Sequence, residues 1–217
     1  MLNSSEFILL HTTRFGEKSM VLHTLSKEYG RKGLFVRNIS HRSVSSMFFP
    51  LAVIEADIME TSKSRLFTAR NLALSHPLSG IRNNIRKSAI SMFISEVLYR
   101  VIREGFADRA LYEMCEKDIL LLDALEDDFS NFHLYFLLDF IIALGFSPEP
   151  QDLEPFMGGH SALVSEFIGK PFSEAMLIPM SGELRNDMAE RLLKYIEFHT
   201  ESAVNVNSLK VLHELFR

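Results

Sequence analysis

The apolar residues of this 217-residue chain change period near position 80, and no other feature constrains its fold as strongly. Before that point they come in short runs that alternate with polar residues, the two-residue repeat of a half-buried strand. After it they recur every three or four residues, the repeat of a helix with one buried face. Strands are predicted over Phe7–Thr13, Lys18–Ser26, Lys32–Ile39, Leu51–Met59 and Arg65–Arg70. Turn signals separate them: Arg14-Phe15-Gly16-Glu17, Lys27-Glu28-Tyr29-Gly30, a polar stretch Ser40–Ser46, and Thr61–Ser64. Five short strands spaced by turns suit a small closed barrel.

Period-two counting also assigns faces. Leu34 and Val36 point inward, and Phe35 and Arg37 share the opposite face. Ala52, Ile54, Ala56 and Ile58 form an apolar face, with Glu55 and Asp57 on the solvated one. The barrel is therefore expected to have a basic, aromatic side and an acidic side.

From residue 81 onward helices are predicted over Arg86–Glu104, Asp108–Leu125 and Ser130–Leu144, the last apolar almost all round. Gly145 before Pro148 is a stop signal, and Ser181 can cap a further helix to Thr200. Val206–Phe216 completes the set. Between these, Ser147–Lys170 holds Pro148, Pro150, Pro155 and Gly158-Gly159 and is read as an irregular insertion. The expected class is α+β: a barrel over residues 1–80, then an all-α domain over 81–217 with its insertion at about 147–170.

Charge divides along the same boundary. Residues 1–80 hold 10 Lys/Arg and 6 Asp/Glu, a net +4, whereas the remainder carries −9, so the overall −5 conceals a basic module. Its cations are Arg14, Lys18, Lys27, Arg31, Lys32, Arg37, Arg42, Lys63, Arg65 and Arg70. Phe15, Tyr29, Phe35, Phe48, Phe49 and Phe67 are interleaved with them. Cations that track phosphates beside aromatic rings that accept unstacked bases are what a single-strand binder needs. Most of these rings serve equally as barrel core; Phe15 and Phe35 are the candidates for stacking.

Catalytic and metal-ligating patterns are not found. Cys115, the sole cysteine, excludes an intramolecular disulfide and a multi-cysteine zinc site, and reads as structural. The eight His are scattered, and His160 after Gly158-Gly159 reads as a loop residue. The acidic runs Glu113–Asp118 and Asp123–Asp128 read as solvated helix faces. There is no phosphate-binding loop or dinucleotide fingerprint, and no cofactor is expected. No secretory signal is read in the first residues, and Phe132–Phe146, interrupted by His133 and Asp139, is too short to span a bilayer, so a cytosolic chain is expected.

Several segments resemble the bacterial recombination mediator family RecO, in the family's order. They are Phe7-Ile8-Leu9-Leu10, Phe15-Gly16-Glu17-Lys18-Ser19, Leu22-His23-Thr24-Leu25 and Tyr29-Gly30-Arg31. Later come Phe93–Arg100, Leu138–Gly145 with Phe146-Ser147-Pro148, and Arg191–Ile196. The resemblance implies an N-terminal OB-fold barrel and ATP-independent binding and annealing of single-stranded DNA, with double-stranded DNA also bound. It further implies recombinase loading at gapped DNA in the bacterial cytosol, and partnership with RecR protein and the acidic tail of single-stranded-DNA-binding protein. Many members carry a four-cysteine zinc element after the central helix. Phe146–Lys170 has no cysteine, so zinc is not expected and the insertion must be held by packing or hydrogen bonds. The competing reading is a protein-interaction scaffold or an RNA-binding OB module unrelated to recombination.

Overall fold

In the computed structural model, which describes residues 3–39, 46–60 and 65–216, five strands close into a barrel in the order β1-β2-β3-β5-β4. They are β1 (Asn3–Arg14), β2 (Ser19–Ser26), β3 (Gly30–Arg37), β4 (Val53–Met59) and β5 (Phe67–Leu74). All pairings are antiparallel except β3 with β5. The strand order and closure are OB-like. β1 is longer than its apolar run because polar Asn3–Ser5 pair with Ile58–Ala56 of β4. A bulge between Leu9 and His11 then bends it from β4 onto β2.

That strand explains its own sequence. Phe7 and Leu9 point into the barrel with Met20, Leu22, Leu34, Val36, Ile54 and Ile58. Ile8 and Leu10 point out, and join Leu25, Leu51 and Val53 in a second core that continues into the helices. A strand buried on both faces loses alternation and reads as a continuous apolar run.

The helices are α1 (Ser79–Arg82), α2 (Ile85–Val101), α3 (Arg109–Ala124), α4 (Phe132–Ala143), α5 (Pro150–Met157), α6 (Ser161–Gly169), α7 (Phe172–Met176), α8 (Gly182–Thr200) and α9 (Ser208–Leu215). Local chemistry sets their starts. Asn84 Oδ1 accepts from the amides of Arg86 and Lys87, Asp108 Oδ1 from Leu111, and Ser181 Oγ from Leu184. α2 lies against the barrel wall, with Ile90, Phe93, Ile94, Val97 and Leu98 fully buried. Ahead of α4, the buried Asn131 amide donates to the carbonyls of Ala175, Met176 and Ile178 and accepts from Arg185 Nε, tying α7 and α8 to it.

Two expectations are corrected here. Residues 147–170 are not irregular: α5 and α6 occupy most of them. Their prolines and glycines misread as breakers. Pro150 stands at the first helical position, where no N–H is required, and Gly158 is the left-handed C-cap (φ +54°). The acidic run of α3 is not wholly solvated either, because Asp118 is fully buried.

No cysteine is needed to hold α5 and α6. Leu153, Met157, Val164 and Phe167 enter the core, and the Phe156 ring packs on Tyr195 (5.2 Å) and Phe198 (5.4 Å). Arg191 donates from Nε to Asp187 (2.6 Å) and from Nη1 to the Phe156 carbonyl (3.1 Å). Arg191→Ala is expected to lower the melting temperature by leaving that carbonyl without its donor. A chelator should leave the melting temperature of the wild type unchanged. Thermal denaturation with and without EDTA checks both; a fall with EDTA would reveal a structural metal.

Candidate nucleic-acid interface

The barrel's outer surface is divided by α2. Outward rows cross it in register: His11 beside His23 and Gly33, then Thr13 beside Val21, Phe35 and Thr68, then Ser19 beside Arg37. In the first row Tyr99 of α2 meets both His11 (4.8 Å) and His23 (5.2 Å). Burial, then the nearby His11 and Arg31, hold the His23 imidazole below its usual range. The later rows are not covered by α2. There Phe15 is 66% exposed and meets half-buried Phe35 edge to face at 5.7 Å, while the Arg37 guanidinium lies 5.3 Å from the Phe35 centroid.

The ten expected cations separate into groups. Arg14, Lys18, Arg37, Arg65 and Arg70 are exposed and make no ion pair among the described residues. Arg37 and Arg70 lie on adjacent strands, one position beyond the paired Val36 and Ala69. Lys32 is half-buried, its ammonium 4.5 Å from the Phe67 ring centre. Two others are engaged elsewhere. Arg31 donates from Nη1 to the Ile102 carbonyl at 2.6 Å and lies 4.4 Å from the Tyr99 centroid, and Lys27 pairs with Glu113 of α3 at 2.7 Å. Hydrogen bonds from Lys27 and Arg109 keep the Glu113 carboxyl below its usual range. These two residues join the barrel to the helices. Arg42 and Lys63 fall outside the described residues.

The acidic side is equally well defined. Glu55 accepts from Ser4 Oγ (2.8 Å), and Asp57 accepts from the Asn71 amide (2.7 Å). Nearby, Glu6, Glu28, Glu55 and Glu116 surround a 410 Å³ recess floored by Tyr112. Burial, then Glu116 and Glu6, push the Tyr112 hydroxyl above its usual range. That recess carries four carboxylates against the one cation Lys27, whereas the Phe15–Phe35 pair has Arg37 beside it.

Candidates for chemistry do not assemble. Cys115 is wholly buried, and burial followed by Asp118 raises its thiol above the usual range, which disfavours a thiolate. His160 is 3.6 Å from Asp187, which also takes Arg191. No group of three or more His, Cys, Asp or Glu that could hold a metal occurs among the described residues. None of their helices is long and apolar enough to cross a membrane.

Sequence reading missed Tyr99 and Arg82. The first completes the stack on Arg31, and the second lies 5.2 Å from the Phe49 ring. Arg82 had only its proximity to the change of period as a signal, and Tyr99 had none beyond its place in a predicted helix.

A family model described as "Recombination protein O C terminal" matches residues 82–152, the segment from the end of α1 to the start of α5. The chain is 27% identical to the DNA repair protein RecO of Phocaeicola vulgatus, over 100% of both chains. It is 29% identical to that of Bacteroides fragilis, over 93% of this chain and 82% of the relative. With that of Flavobacterium johnsoniae it shares 32% identity over 68% of this chain and 63% of the relative.

Proposed function

The chain belongs to the RecO family of DNA repair proteins, and from that premise we propose that it binds and anneals single-stranded DNA on the uncovered barrel face. Arg14, Lys18, Arg37, Arg65 and Arg70 contact phosphates, and Phe15 with Phe35 offers a surface for unstacked bases. Double-stranded DNA uses the same cations without the stacking. The protein assists recombinase loading by holding DNA, without catalysis, in the cytosol. RecR protein is a partner. The acidic tail of single-stranded-DNA-binding protein is a further partner; the 560 Å³ recess between α8 and α9, where Glu190, Glu197 and Glu214 outnumber Lys194 and Lys210, does not favour it.

One observation carries this reading: the exposed Phe15 ring meets Phe35 on the barrel's outer surface, beside an Arg37 that makes no ion pair among the described residues. Fluorescence anisotropy with a labelled single strand over a salt series tests it. Affinity should fall steeply with salt. Lys18→Glu, Arg37→Glu and Arg70→Glu combined should weaken it on the order of 100-fold and reduce the logarithmic salt slope by roughly 2. Lys194→Glu, on the exposed surface of α8, should change it little. Phe15→Ala should cost about tenfold, one base's stacking. Equal losses from the α8 and barrel variants would remove the barrel face from consideration.

A further inference from the structure

Two imidazoles stand one row along the barrel wall from the Phe15–Phe35 pair. His11 of β1 and His23 of β2 are partners across the ladder, with ring centroids 5.7 Å apart. Strand residues two apart share a face at a spacing of about 7 Å, so the next outward row is Thr13, Val21, Phe35 and Thr68. Thr13 joins the two rows, because its Oγ1 lies 3.1 Å from His23 Nε2. His11 and Thr13 are exposed, and His23 is half-buried. The row continues to Gly33, where the space a Cβ would take is filled by the tip of Leu66, next to the exposed Arg65. A single strand that lies on Phe35 and continues along the wall crosses these imidazoles.

The charges around the pair come from β3, from α2 and from the segment after it. Arg31 of β3 faces His23, although its guanidinium is held by the Ile102 carbonyl and the Tyr99 ring. Exposed Glu104 follows α2 and acts on His23 in the opposite sense. From α2, Tyr99 meets both imidazoles, and Glu96 and Arg100, 3.9 Å apart, line a cavity with His11. Glu96 is already committed to the amides of Asn207 and Ser208. A proton on His23 is therefore opposed by burial, then by His11 and Arg31, and Glu104 does not offset them. What the row lacks is an anion. An imidazolium can only donate from Nε2 to Thr13 Oγ1, which leaves the threonine's own hydrogen for such an anion.

We propose that His11, Thr13 and His23 form a phosphate subsite whose occupation puts a proton on His23, so that single-strand binding strengthens as the pH falls. The inference rests on the barrel-face reading and adds its regulation. A phosphate beside the row supplies the missing counter-charge, and proton and phosphate favour each other's binding by the same free energy. Neutral, the row offers the strand only hydrogen bonds; protonated, it adds a cation to those that track the backbone.

Fluorescence anisotropy with labelled oligothymidylate at fixed salt tests the proposal, with circular dichroism to confirm the fold at each pH. Wild-type affinity should rise about tenfold from about pH 8 to about pH 6, the effect of one proton whose pKa is raised by roughly one unit on binding. His23→Gln, which keeps a polar partner for Thr13, should bind with nearly the same affinity at both ends. Phe15→Ala should weaken binding but keep the full pH gain. His11→Gln should lose about threefold at the acidic end, the worth of one hydrogen bond. In the wild type, the His23 imidazole resonance should titrate at higher pH with oligothymidylate than without, a reading that needs no substitution to fold. Absence of salt-sensitive binding at any pH would remove the barrel-face reading and this subsite together. Salt-sensitive binding that ignores pH, a gain that persists in His23→Gln, full affinity in His11→Gln or an unmoved His23 resonance would overturn the subsite alone.

Discussion

Gly30→Ala is expected to lose about 2–5 kcal/mol of folding stability, a large part of what a domain of this size has. Two independent costs add. Gly30 sits at φ +61°, where an L side chain is strained by roughly 1–2 kcal/mol. A Cβ there would also lie inside the contact shell of the Phe106 carbonyl oxygen and 2.6 Å from its carbon. Both obstacles are backbone, so no rotamer change relieves them. The close approach is what lets the segment after α2 lie along β3, where Arg31 bridges to Glu104 and its guanidinium reaches Ile102. Chemical denaturation followed by circular dichroism measures the loss. At Gly16, also at positive φ (+70°) but with open space around its Cβ position, alanine should cost only the backbone part. Equal losses at the two glycines would show that the contact with Phe106 contributes nothing.

The second large effect is a pH dependence centred on Asp118. Neither carboxylate oxygen of this buried residue has a hydrogen-bond partner among the described residues, and its one cation, Lys117, stands 3.2 Å away and also serves Asp139 at 2.8 Å. Burial raises its pKa to about 7; Lys117 pulls it down, and Asp139 pushes it up. Below the unfolded value near 4 both states hold the proton and the group contributes nothing. As pH rises from 4 to 7 the unfolded chain releases a proton that the folded chain keeps, and stability falls by up to about 4 kcal/mol. Asp118→Asn removes that loss while giving up an ion pair to a half-exposed lysine, worth about 1 kcal/mol at most. The variant should match the wild type near pH 4 and exceed it at pH 8.

Comparing variant with wild type isolates Asp118 from His133, which acts in the opposite direction. Burial depresses the His133 pKa to about 3, so its contribution is complete above pH 6.5 and is lost as pH falls towards 3. Parallel stability curves for the two proteins would mean that Asp118 is not strained by its burial.

The barrel was legible because strand parity is a local property. Leu34 and Val36 face inward and Phe35 and Arg37 outward, as counting by twos requires. The helix starts were legible because Asp108 and Ser181 bond to amides three residues away. The insertion was misread because Pro150 and Gly158 break helices in mid-element yet favour their two ends, and position within an element is not known before the element is. Asp118 was misread because a run of acids on a helix says nothing about which neighbour covers one of them.

The feature on which the proposed function turns is the least local. Arg31 and Arg37 lie six residues apart on β3, with the same parity and the same charge, and nothing in the sequence distinguishes them. The sequence by itself determined that both belong to a basic barrel and that Arg37 points outward. Only the tertiary structure decided that Arg31 binds Tyr99 and the Ile102 carbonyl while Arg37 stays in solvent beside Phe35. The reason is physical: α2, some fifty residues further along the chain, covers one end of the barrel wall, and which outward residues it covers depends on packing between elements that share no local signal.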